Sequence, residues 1–405
     1  MQAFDQLLRL PSVLGRERRT NLAVRLLAGV ARARQHLGVR PRSVRRLKHV
    51  VHISPAYFSD DSYVGGGERW AMSLAEAMAT KVETTLVSFG ARRETIKVGA
   101  LKLELYPVSS ESAQVHSDVA NLGFLQELRS ADAVHCHHFR TAVSSLALAG
   151  TKIAGGRTFV TELGGSAPTF LAGVETTNFV DCFLHLSNYA ATLFPMSSGR
   201  VVYGGVNKAF LNDVCLPIEM RRQVLCVARL LPHKGINYLI DAIAADQQLE
   251  LIGKVYHPEY FQLLQERADG KQVRFTTDAS DEDLVAAYRR SIVTVLPSVY
   301  EDVYGSRSKI PELLGLVLLE SMACGTPVIC TRVASMPELV EDGVTGFIVP
   351  PNDPGALRQA IQFMRTNPAT AAEMGQRGRQ RVLERFTWDR VADSCLEAYQ
   401  QPIAA

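Results

Sequence analysis

The sequence predicts an α/β protein of two doubly wound domains, each built on a largely parallel sheet. Short apolar runs rich in β-branched residues alternate with helical segments along most of the chain, which is typical of parallel strands covered on both faces. The alternation breaks around residues 206–220, where NKAFLNDVCLP loses the periodicity. A chain of 405 residues is also too long for one ordinary hydrophobic core.

The first series of strands begins after residue 48. Residues 49–54 (HVVHIS) are predicted to form a strand and residues 68–79 a helix, with a second helical stretch near 118–130. The other predicted strands of this series are 82–89, 101–106, 133–137, 157–161, 182–187 and 200–203. We therefore expect the first domain to span residues 49–210, after an N-terminal arm over 1–48.

A second series of strands follows the break, again separated by helical segments. Its predicted strands are 223–229, 249–253, 273–277 and 292–298. We expect the second domain to span residues 211–380, with a terminal helical segment over 381–405.

The composition is that of a soluble globular protein, with 47% hydrophobic and 21% charged residues. No uninterrupted apolar stretch approaches the roughly 18 residues that a membrane span needs. The seven cysteines are odd in number and include no CxxC pair, so the simplest interpretation is small buried hydrophobes in a reducing cytosol. We expect a cytoplasmic protein.

Charge is distributed unevenly along the chain. Residues 1–48 hold twelve Lys or Arg and two acidic residues, a net charge of +10, whereas the remaining residues carry −7. Within residues 20–37 an apolar stripe recurs at helical spacing and consists of Leu22, Leu26, Val30, Ala33 and Leu37. Another face of the same helix carries Arg18, Arg25 and Arg32. An anionic partner is indicated.

The arm admits several interpretations. It could be an interfacial helix for anionic lipid, at the inner face of the membrane. It could instead be a solvated arm, or a helix docked on the first domain. Arg25 interrupts the only signal-like apolar run, which disfavours secretion, while an Arg-rich, acid-poor start also fits an organelle transit peptide.

Ligands of open parallel sheets bind beyond the carboxyl ends of the strands, and with two such domains we expect the site in the cleft between them. The first strand leads to Gly65-Gly66-Gly67 and then to a helix. Glycines there let a phosphate or sugar approach the backbone, and a helix N-terminus favours negative charge. The loop lacks the GxGxxG of a dinucleotide fold and the GK[ST] of a P-loop.

The second domain opens with a more specific pattern. CVARLLPHKG sets Arg229 at a strand end and Lys234 five residues on, beside Gly235. Two cations around a strand-to-helix turn can clamp a diphosphate, Arg with its fork of donors and Lys as a point charge. The alternative is a pair of solvated surface cations, which is the usual role of Lys and Arg.

The segment PSVYEDVYGSRSKIPELLGLVLLESMACGTPVI (297–329) places Glu312 and Glu320 eight positions apart around an apolar run. An acid near such a turn can accept hydrogen bonds from the vicinal hydroxyls of a ribose. Backbone amides after Gly315 can meet phosphate at a helix start. The pattern fits a nucleoside diphosphate attached to a transferable group.

These residues resemble the retaining, two-domain glycosyltransferases of family 4, which have the GT-B fold. The matching pieces are GGGER (65–69), VARLLPHKG (227–235), Pro297-Ser298, ELLGLVLLESMACGTPVI (312–329), MPELVEDGVTGFIVP (336–350) and RFTWDRVADSCLEAY (385–399). The resemblance covers roughly residues 49–400 and is much stronger in the second half. It implies that the terminal helix crosses back to brace the first domain.

The resemblance also implies roles for individual residues. Arg229 and Lys234 would hold the donor diphosphate, Glu320 the ribose, and Glu312 would lie against the transferred sugar. The other implied donor contacts are Gly65, Gly66, Ser298, Gly315, Leu316 and Val317.

Three departures from the family pattern bear on these roles. Relatives usually run from Pro-Ser to the first Glu within a few residues, whereas here residues 301–311 intervene, so Glu301 is a rival for Glu312. Many relatives place a histidine after a first-domain strand, where this chain has Glu162 after Thr161. Thr277 stands where relatives often have glycine near the base.

Two groups of residues look like metal ligands, but each has an ordinary interpretation. Neighbours on a strand point to opposite faces, so no more than two of the histidines in HCHH (135–138) can converge. A strand end that lines the cleft is the alternative, with His137 or His138 as a candidate contact of donor or acceptor. DED (281–283) follows Ser280, so Ser280 with Asp283 is expected to cap a helix. We expect no catalytic metal and no cofactor beyond the nucleotide-sugar substrate.

The expected activity is transfer of a sugar from a nucleoside-diphosphate sugar to a hydroxyl of a glycan or lipid-linked acceptor, with retention at the anomeric carbon. The expected context is cell-envelope or exopolysaccharide synthesis. Two rivals remain, a catalytically silent sugar-nucleotide-binding partner subunit and a dinucleotide oxidoreductase, the latter disfavoured by the missing GxGxxG. No nucleic-acid partner is expected.

Overall fold

The computed structural model describes residues 16–36, 47–57, 66–108, 121–164, 173–194, 198–212, 216–217, 220–308 and 310–401. These residues fall into two compact units. The first unit lies within Met1–Leu186, Ala191–Val202 and Trp388–Ala405, and the second within Ser187–Ala190 and Tyr203–Thr387. Gly65 lies outside the described residues.

The first unit contains an eight-stranded sheet. Its strands are β1 (His49–Tyr57), β2 (Glu83–Gly90), β3 (Glu94–Val98), β4 (Leu101–Pro107), β5 (Ala133–His137), β6 (Arg157–Thr161), β7 (Cys182–His185) and β8 (Gly199–Val201). The strand order is β3-β4-β2-β1-β5-β6-β7-β8. All neighbouring pairs are parallel except β3 with β4, which is antiparallel. Every residue of β5 and β6 is buried, as expected for strands covered on both faces.

The helices of the first unit are α1 (Arg16–His36), α2 (Gly66–Ala79) and α3 (Ala142–Ala154), with 3-10 helices at Leu122–Arg129 and Thr177–Phe179. Helix α4 (Asn188–Leu193) is divided between the two units, and the 3-10 helix Lys208–Leu211 belongs to the second. Helix α3 begins at Thr141, whose hydroxyl accepts from the Ser144 amide, and ends at Gly155 in the left-handed conformation. Helix α1 packs against α3.

The second unit contains a six-stranded, fully parallel sheet. Its strands are β9 (Gln223–Val227), β10 (Leu249–Ile252), β11 (Val273–Thr276), β12 (Ser291–Leu296), β13 (Val328–Thr331) and β14 (Gly346–Val349), in the order β11-β10-β9-β12-β13-β14. The helices are α5 (Ile236–Ala242), α6 (Pro258–Ala268), α7 (Asp281–Arg290), α8 (Leu316–Ala323), α9 (Met336–Leu339), α10 (Pro354–Thr366) and α11 (Pro368–Arg385), with a 3-10 turn at Pro232–Lys234.

The last helix, α12 (Trp388–Gln400), belongs to the first unit, where it packs on α2. Trp388 meets Trp70 edge to face, with ring centres 5.6 Å apart. The predicted return of the terminal helix to the first domain is therefore confirmed.

The predicted fold class, two doubly wound α/β domains, is confirmed, but three details differ from the sequence analysis. Strand β3 was not predicted, because a half-exposed edge strand lacks a continuous apolar run. The four-residue strands β13 and β14 were also missed. The helix expected near 118–130 is a 3-10 helix over Leu122–Arg129. The cap expected at Ser280 is confirmed, since Ser280 and Asp283 form a reciprocal capping box at α7.

None of the helices in the described part of the chain combines the length and apolar character that crossing a bilayer requires.

The core of the first unit contains three histidines on one face of the sheet. His52 on β1 lies opposite His135 on β5, and His137 lies two residues further along β5, so the three share a face. His52 Nδ1 and His137 Nε2 are 2.9 Å apart. All three side chains are fully buried.

The hydrogen bonds of His135 determine its tautomer. Its Nε2 lies 2.8 Å from Thr161 Oγ1, and that hydroxyl donates its own proton to the Leu184 carbonyl. Thr161 must therefore accept from His135 Nε2–H, which leaves Nδ1 to accept from the Tyr399 hydroxyl 2.7 Å away. Both ring nitrogens of His135 are thus engaged in hydrogen bonds.

The three rings are close enough for a metal ion, with one nitrogen from each within 4.8 Å of the others. The hydrogen bonds just described already occupy both nitrogens of His135 and the facing nitrogens of His52 and His137. The cluster as folded is therefore a neutral hydrogen-bonded group. As expected, only His135 and His137 of the HCHH segment converge, and the third ring comes from β1.

Burial lowers the pKa of His52 to about 3 and the pKa values of His135 and His137 well below 6.5, with the neighbouring histidines adding to the shift of the latter two. Since the unfolded chain takes up protons near pH 6.5 and the folded unit does not, acid favours unfolding. The first unit should lose about 1.4 kcal/mol of stability per pH unit per histidine as pH falls from about 6.5 towards 4.

Urea unfolding followed by tryptophan fluorescence measures this effect, because both tryptophans, Trp70 and Trp388, lie in the first unit. His52→Gln should reduce the pH slope by about one proton. His36→Gln, at an exposed position of α1, is the matched control and should leave it unchanged. Equal slopes for all three proteins would contradict the neutral cluster.

Candidate functional site

The second unit brings several predicted site residues to one edge of its sheet. Strands β9 and β12 are parallel neighbours, so the segments that follow them emerge at the same edge. Arg229 and Lys234 follow β9, and Ser298 follows β12. Glu312 stands just before α8.

The closest contact at this edge is an ion pair between Lys234 and Glu312. Lys234 Nζ lies 2.6 Å from Glu312 Oε2 and 3.3 Å from the Pro311 carbonyl oxygen. The side chains are only 9% and 16% exposed. Loss of either side chain would destabilise the fold, because the remaining charge would be buried without its counter-ion.

Gly235 makes the approach of Lys234 possible. It ends the Pro232–Lys234 turn with φ +63°, and a Cβ at this position would lie 2.1 Å from the Pro297 carbonyl oxygen. No other residue type fits both the conformation and the space. The backbone next to Lys234 is therefore packed directly on the segment that carries Ser298.

Gly315 plays a similar part at the start of α8. Its φ of +88° lets the chain turn sharply into the helix, and a Cβ there would lie 3.7 Å from Glu312 Cγ. The first amides of α8, those of Leu316 and Val317, lie at the positively polarised end of the helix. A helix start, a carboxylate and an ammonium group therefore lie close together.

Glu320 lies further along α8 (Leu316–Ala323). Its Oε2 accepts a hydrogen bond of 2.9 Å from the hydroxyl of Tyr288 on α7. Burial, with the negative charge of Glu320, raises the pKa of Tyr288 well above its usual value. Tyr288 is thus a permanent donor that orients the half-buried Glu320 carboxylate.

Arg229 and Ser298 border this group. The Arg229 side chain is exposed, with its guanidinium carbon 5.8 Å from the centre of the Tyr256 ring. Ser298 is fully buried, and its carbonyl accepts from Thr331 Oγ1 at 2.5 Å. Its own hydroxyl has no hydrogen-bond partner among the residues that the structure describes. Thr277 is exposed just beyond β11.

The structure distinguishes Glu301 from Glu312 by their partners. Glu301 pairs with Arg307 at 2.8 Å across the 301–307 bridge, and both side chains are well exposed. Its carbonyl accepts from Asn352 Nδ2 at 3.0 Å. Glu301 is therefore engaged within the inserted segment, while Glu312 pairs with Lys234.

The candidate residues of the first unit occupy different environments. Gly66 begins α2. His137 is inside the core cluster, so the expectation that it contacts a ligand does not fit its burial. His138 has a φ of +79°, and its Nδ1 lies 3.6 Å from Glu162 Oε1. Glu162 accepts hydrogen bonds from the amides of Phe139 and Gly164, both at 2.8 Å. It therefore fixes the turns that follow β5 and β6.

Two residues that contact or neighbour the predicted site residues of the second unit were not predicted from the sequence. Burial, together with the positive charge of Lys234, lowers the pKa of His233 to about 4, so an uncharged imidazole stands beside the ion pair. His233 was visible within CVARLLPHKG, but no spacing rule pointed to it. Tyr288 carried no signal, because its pairing with Glu320 joins α7 to α8 across 32 positions.

The second unit also matches a known family. Residues 212–381 match the family described as Glycosyl transferases group 1. The match covers less than half of the chain, and we refer to residues 212–381 as the group 1 domain after the family that they resemble.

A curated relative matches part of the chain. The GDP-mannose-dependent alpha-(1-6)-phosphatidylinositol monomannoside mannosyltransferase of Mycolicibacterium smegmatis is 33% identical over 182 residues, which are 42% of this chain and 45% of that protein. The chain spans about half the length of the curated relatives it matches, or less.

Solved structures resemble a larger part of the chain. Sucrose-phosphate synthase from Thermosynechococcus elongatus superposes with a TM-score of 0.66 at 22% identity, covering 87% of this chain and 98% of its own. Anabaena HepE, solved in complex with UDP, gives 0.66 at 17% identity, with 87% and 99% covered. The predicted GT-B fold is confirmed by this likeness.

The ion pair generates a stability prediction that is independent of any substrate. Lys234→Met and Glu312→Gln should each destabilise the group 1 domain by about 3 kcal/mol, because each leaves one partly buried charge or polar group without its partner. The double variant should cost much less than the two single variants together.

Chemical denaturation followed by far-ultraviolet circular dichroism would measure this coupling. The matched control is Glu301→Gln with Arg307→Met, the exposed pair of the inserted segment, for which each change should cost less than about 1 kcal/mol. Additive losses for Lys234 and Glu312 would show that the two side chains are not coupled in solution.

Proposed function

We propose that this protein is a retaining glycosyltransferase of family 4, which moves a sugar from a nucleoside-diphosphate donor to a hydroxyl of a glycan or lipid-linked acceptor. The observation that supports this most directly is the convergence of Lys234, Glu312 and the Gly315 helix start in a group 1 domain. We place the reaction in the cytoplasm, in cell-envelope or exopolysaccharide synthesis.

The donor diphosphate would occupy the positive part of this group. Arg229 and Lys234 supply two cations, and the first amides of α8 supply hydrogen-bond donors at the positive end of a helix. Together they stabilise the charge that accumulates on the diphosphate as it leaves. Because these groups neutralise the diphosphate, the proposed reaction needs no catalytic metal.

Donor binding would rearrange the Lys234–Glu312 pair. The Glu312 carboxylate lies 2.6 Å from Lys234 Nζ, and in this proposal an anionic phosphate oxygen takes its place when the donor binds. A bound diphosphate competes for the ammonium group and releases Glu312 towards the sugar. Breaking the ion pair costs free energy, and the new contacts with the phosphate offset that cost.

Glu312 would then act on the sugar ring. A carboxylate next to the helix start orients the sugar hydroxyls and keeps a negative potential near the anomeric carbon as that carbon becomes cationic. The departing phosphate itself can take the proton of the acceptor hydroxyl, so no separate general base is required.

Glu320 would hold the other end of the donor. Its carboxylate accepts from the hydroxyl of Tyr288 and would also accept from the vicinal hydroxyls of a ribose. Since the Tyr288 hydroxyl is a fixed donor, the carboxylate is oriented before the donor arrives.

The names of the similar proteins agree with this donor class. The mannosyltransferase relative is named for GDP-mannose and for a lipid acceptor, and HepE was solved with UDP. Both nucleotides are diphosphates, which is the feature that Arg229 and Lys234 fit.

Donor hydrolysis tests the proposal. The protein would be incubated with UDP-, GDP- and ADP-sugars, with and without a lipid-linked or glycan acceptor, and release of the nucleoside diphosphate would be measured. Release from at least one donor, accelerated by an acceptor and giving an anomerically retained product, is expected. Binding of a sugar nucleotide with no turnover under any condition would instead support a silent partner subunit.

Substitution of the two cations should impair turnover without unfolding the domain. Arg229→Ala and Lys234→Ala should each lower kcat/KM about a hundredfold, which corresponds to about 3 kcal/mol of lost charge stabilisation. Arg377→Ala, an exposed cation on α11, is the control. Near-normal kcat/KM in both test variants would remove the diphosphate clamp from the proposal.

The two glutamates should differ kinetically. Glu320→Gln weakens charge-assisted bonds to the ribose, each worth about 1.5–3 kcal/mol, and should chiefly raise the donor KM. Glu312→Gln should chiefly lower kcat, because its charge matters most as the sugar becomes cationic.

Glu301→Gln is the control for these kinetics and should have a mild effect, since Glu301 pairs with Arg307 in the inserted segment. Donor-saturated kinetics on the three variants decide the point. A loss of kcat in Glu301→Gln but not in Glu312→Gln would place the first motif glutamate before the insertion.

A further inference from the structure

Helix α1 is docked on the first unit by one of its faces. That inner face is fully buried in the hydrophobic core beside α3, and its residues are Ala23, Val24, Leu27, Ala28 and Ala31. Most of these residues are small, so the helix lies close against the unit. Of the alternatives that the sequence left open, a helix docked on the first domain is therefore confirmed for this face.

A second line of apolar residues along α1 is exposed. Leu22, Leu26 and Val30 recur every four residues and so form one line along the helix. Their exposed fractions are 37%, 47% and 39%. A helix that only needed to dock on the protein would carry polar residues here. We call these three residues the outer stripe.

Cations flank the outer stripe. Arg25 and Arg32 are exposed and lie two helical turns apart on the edge of the same outer surface. Arg32 donates through Nη2 to the Glu175 carbonyl at 3.2 Å, which holds its side chain beside the helix. An apolar line bordered by arginines is the surface of a helix that lies in a lipid interface.

The distribution of charge favours an anionic occupant. Residues 1–48 carry +10, whereas the remaining residues carry −7. An anionic surface therefore attracts the α1 region and repels much of the other protein surface. A neutral apolar partner would satisfy the stripe but leave the arginines without counter-charges.

We infer that the outer surface of α1 docks the first unit on an anionic lipid bilayer. Leu22, Leu26 and Val30 enter the headgroup–acyl boundary, and Arg25 and Arg32 contact lipid phosphates. Because the inner face of α1 is part of the core, the whole unit is held through this helix. This docking goes beyond the proposed glycosyl transfer and does not depend on it.

Vesicle co-sedimentation of the full-length protein tests the docking. The probes are vesicles of phosphatidylcholine alone and of phosphatidylcholine mixed with phosphatidylglycerol, at about 0.1 M and about 1 M salt. The variants are Leu26→Gln and Arg25→Gln. Leu383→Gln is the matched control, since Leu383 on α11 is 44% exposed, close to the 47% of Leu26.

Binding to the anionic vesicles at low salt is expected for the wild type and the control. Leu26→Gln should weaken it about tenfold through loss of apolar insertion. Arg25→Gln should weaken it about fivefold at low salt and have little effect at high salt, where the charges are screened. Donor hydrolysis in solution should be the same in all four proteins, so that failure of docking and failure of catalysis are separable.

Three results would overturn the inference. One is equal binding of wild type, Leu26→Gln and Arg25→Gln to anionic vesicles. The second is a lipid-free dimer that Leu26→Gln dissociates, since the stripe would then be covered by a second copy. The third is loss of vesicle binding after deletion of residues 1–15, which would assign the lipid contact to that segment and not to the outer stripe.

Discussion

The ion pair between Lys234 and Glu312 is the contact on which the candidate site depends, because it joins two segments that are 78 positions apart in the chain. It forms only because Gly235 allows the turn after β9 to pack on the Pro297 carbonyl. Gly315 then brings the start of α8 against the same carboxylate. One cation, one anion and one helix start are thus fixed by two glycines, each in a conformation that other residues rarely adopt.

The two units differ in whether their ionisable side chains are charged or neutral. The second unit keeps Lys234 and Glu312 charged and paired near its surface, where a phosphate can compete for the cation. The first unit buries three histidines in the neutral state, and burial lowers their pKa values. Partial exposure makes a charged pair available for binding, whereas full burial makes imidazoles part of the core.

The inserted segment shows how geometry separates two residues that sequence spacing could not. Glu301 and Glu312 both follow Pro297-Ser298 and precede the apolar run of α8. The bridge between Glu301 and Arg307 closes the insertion on itself, and Asn352 holds its backbone. Lys234 contacts Pro311 and Glu312 at the end of the insertion. The pairing therefore depends on the path of the loop and not on the number of residues that separate the glutamate from Pro297-Ser298.

The sequence by itself determined the fold class, most strands, the Ser280–Asp283 cap and the positions of the cations and carboxylates at the strand ends. These follow from local periodicity and from the rule that parallel strands end at one edge. Tertiary structure alone decided that His52 completes the histidine cluster, that Tyr288 orients Glu320, and that α1 exposes one apolar line while burying another face. Each of these depends on contacts between distant segments, and a pattern read along the chain carries no information about which faces meet.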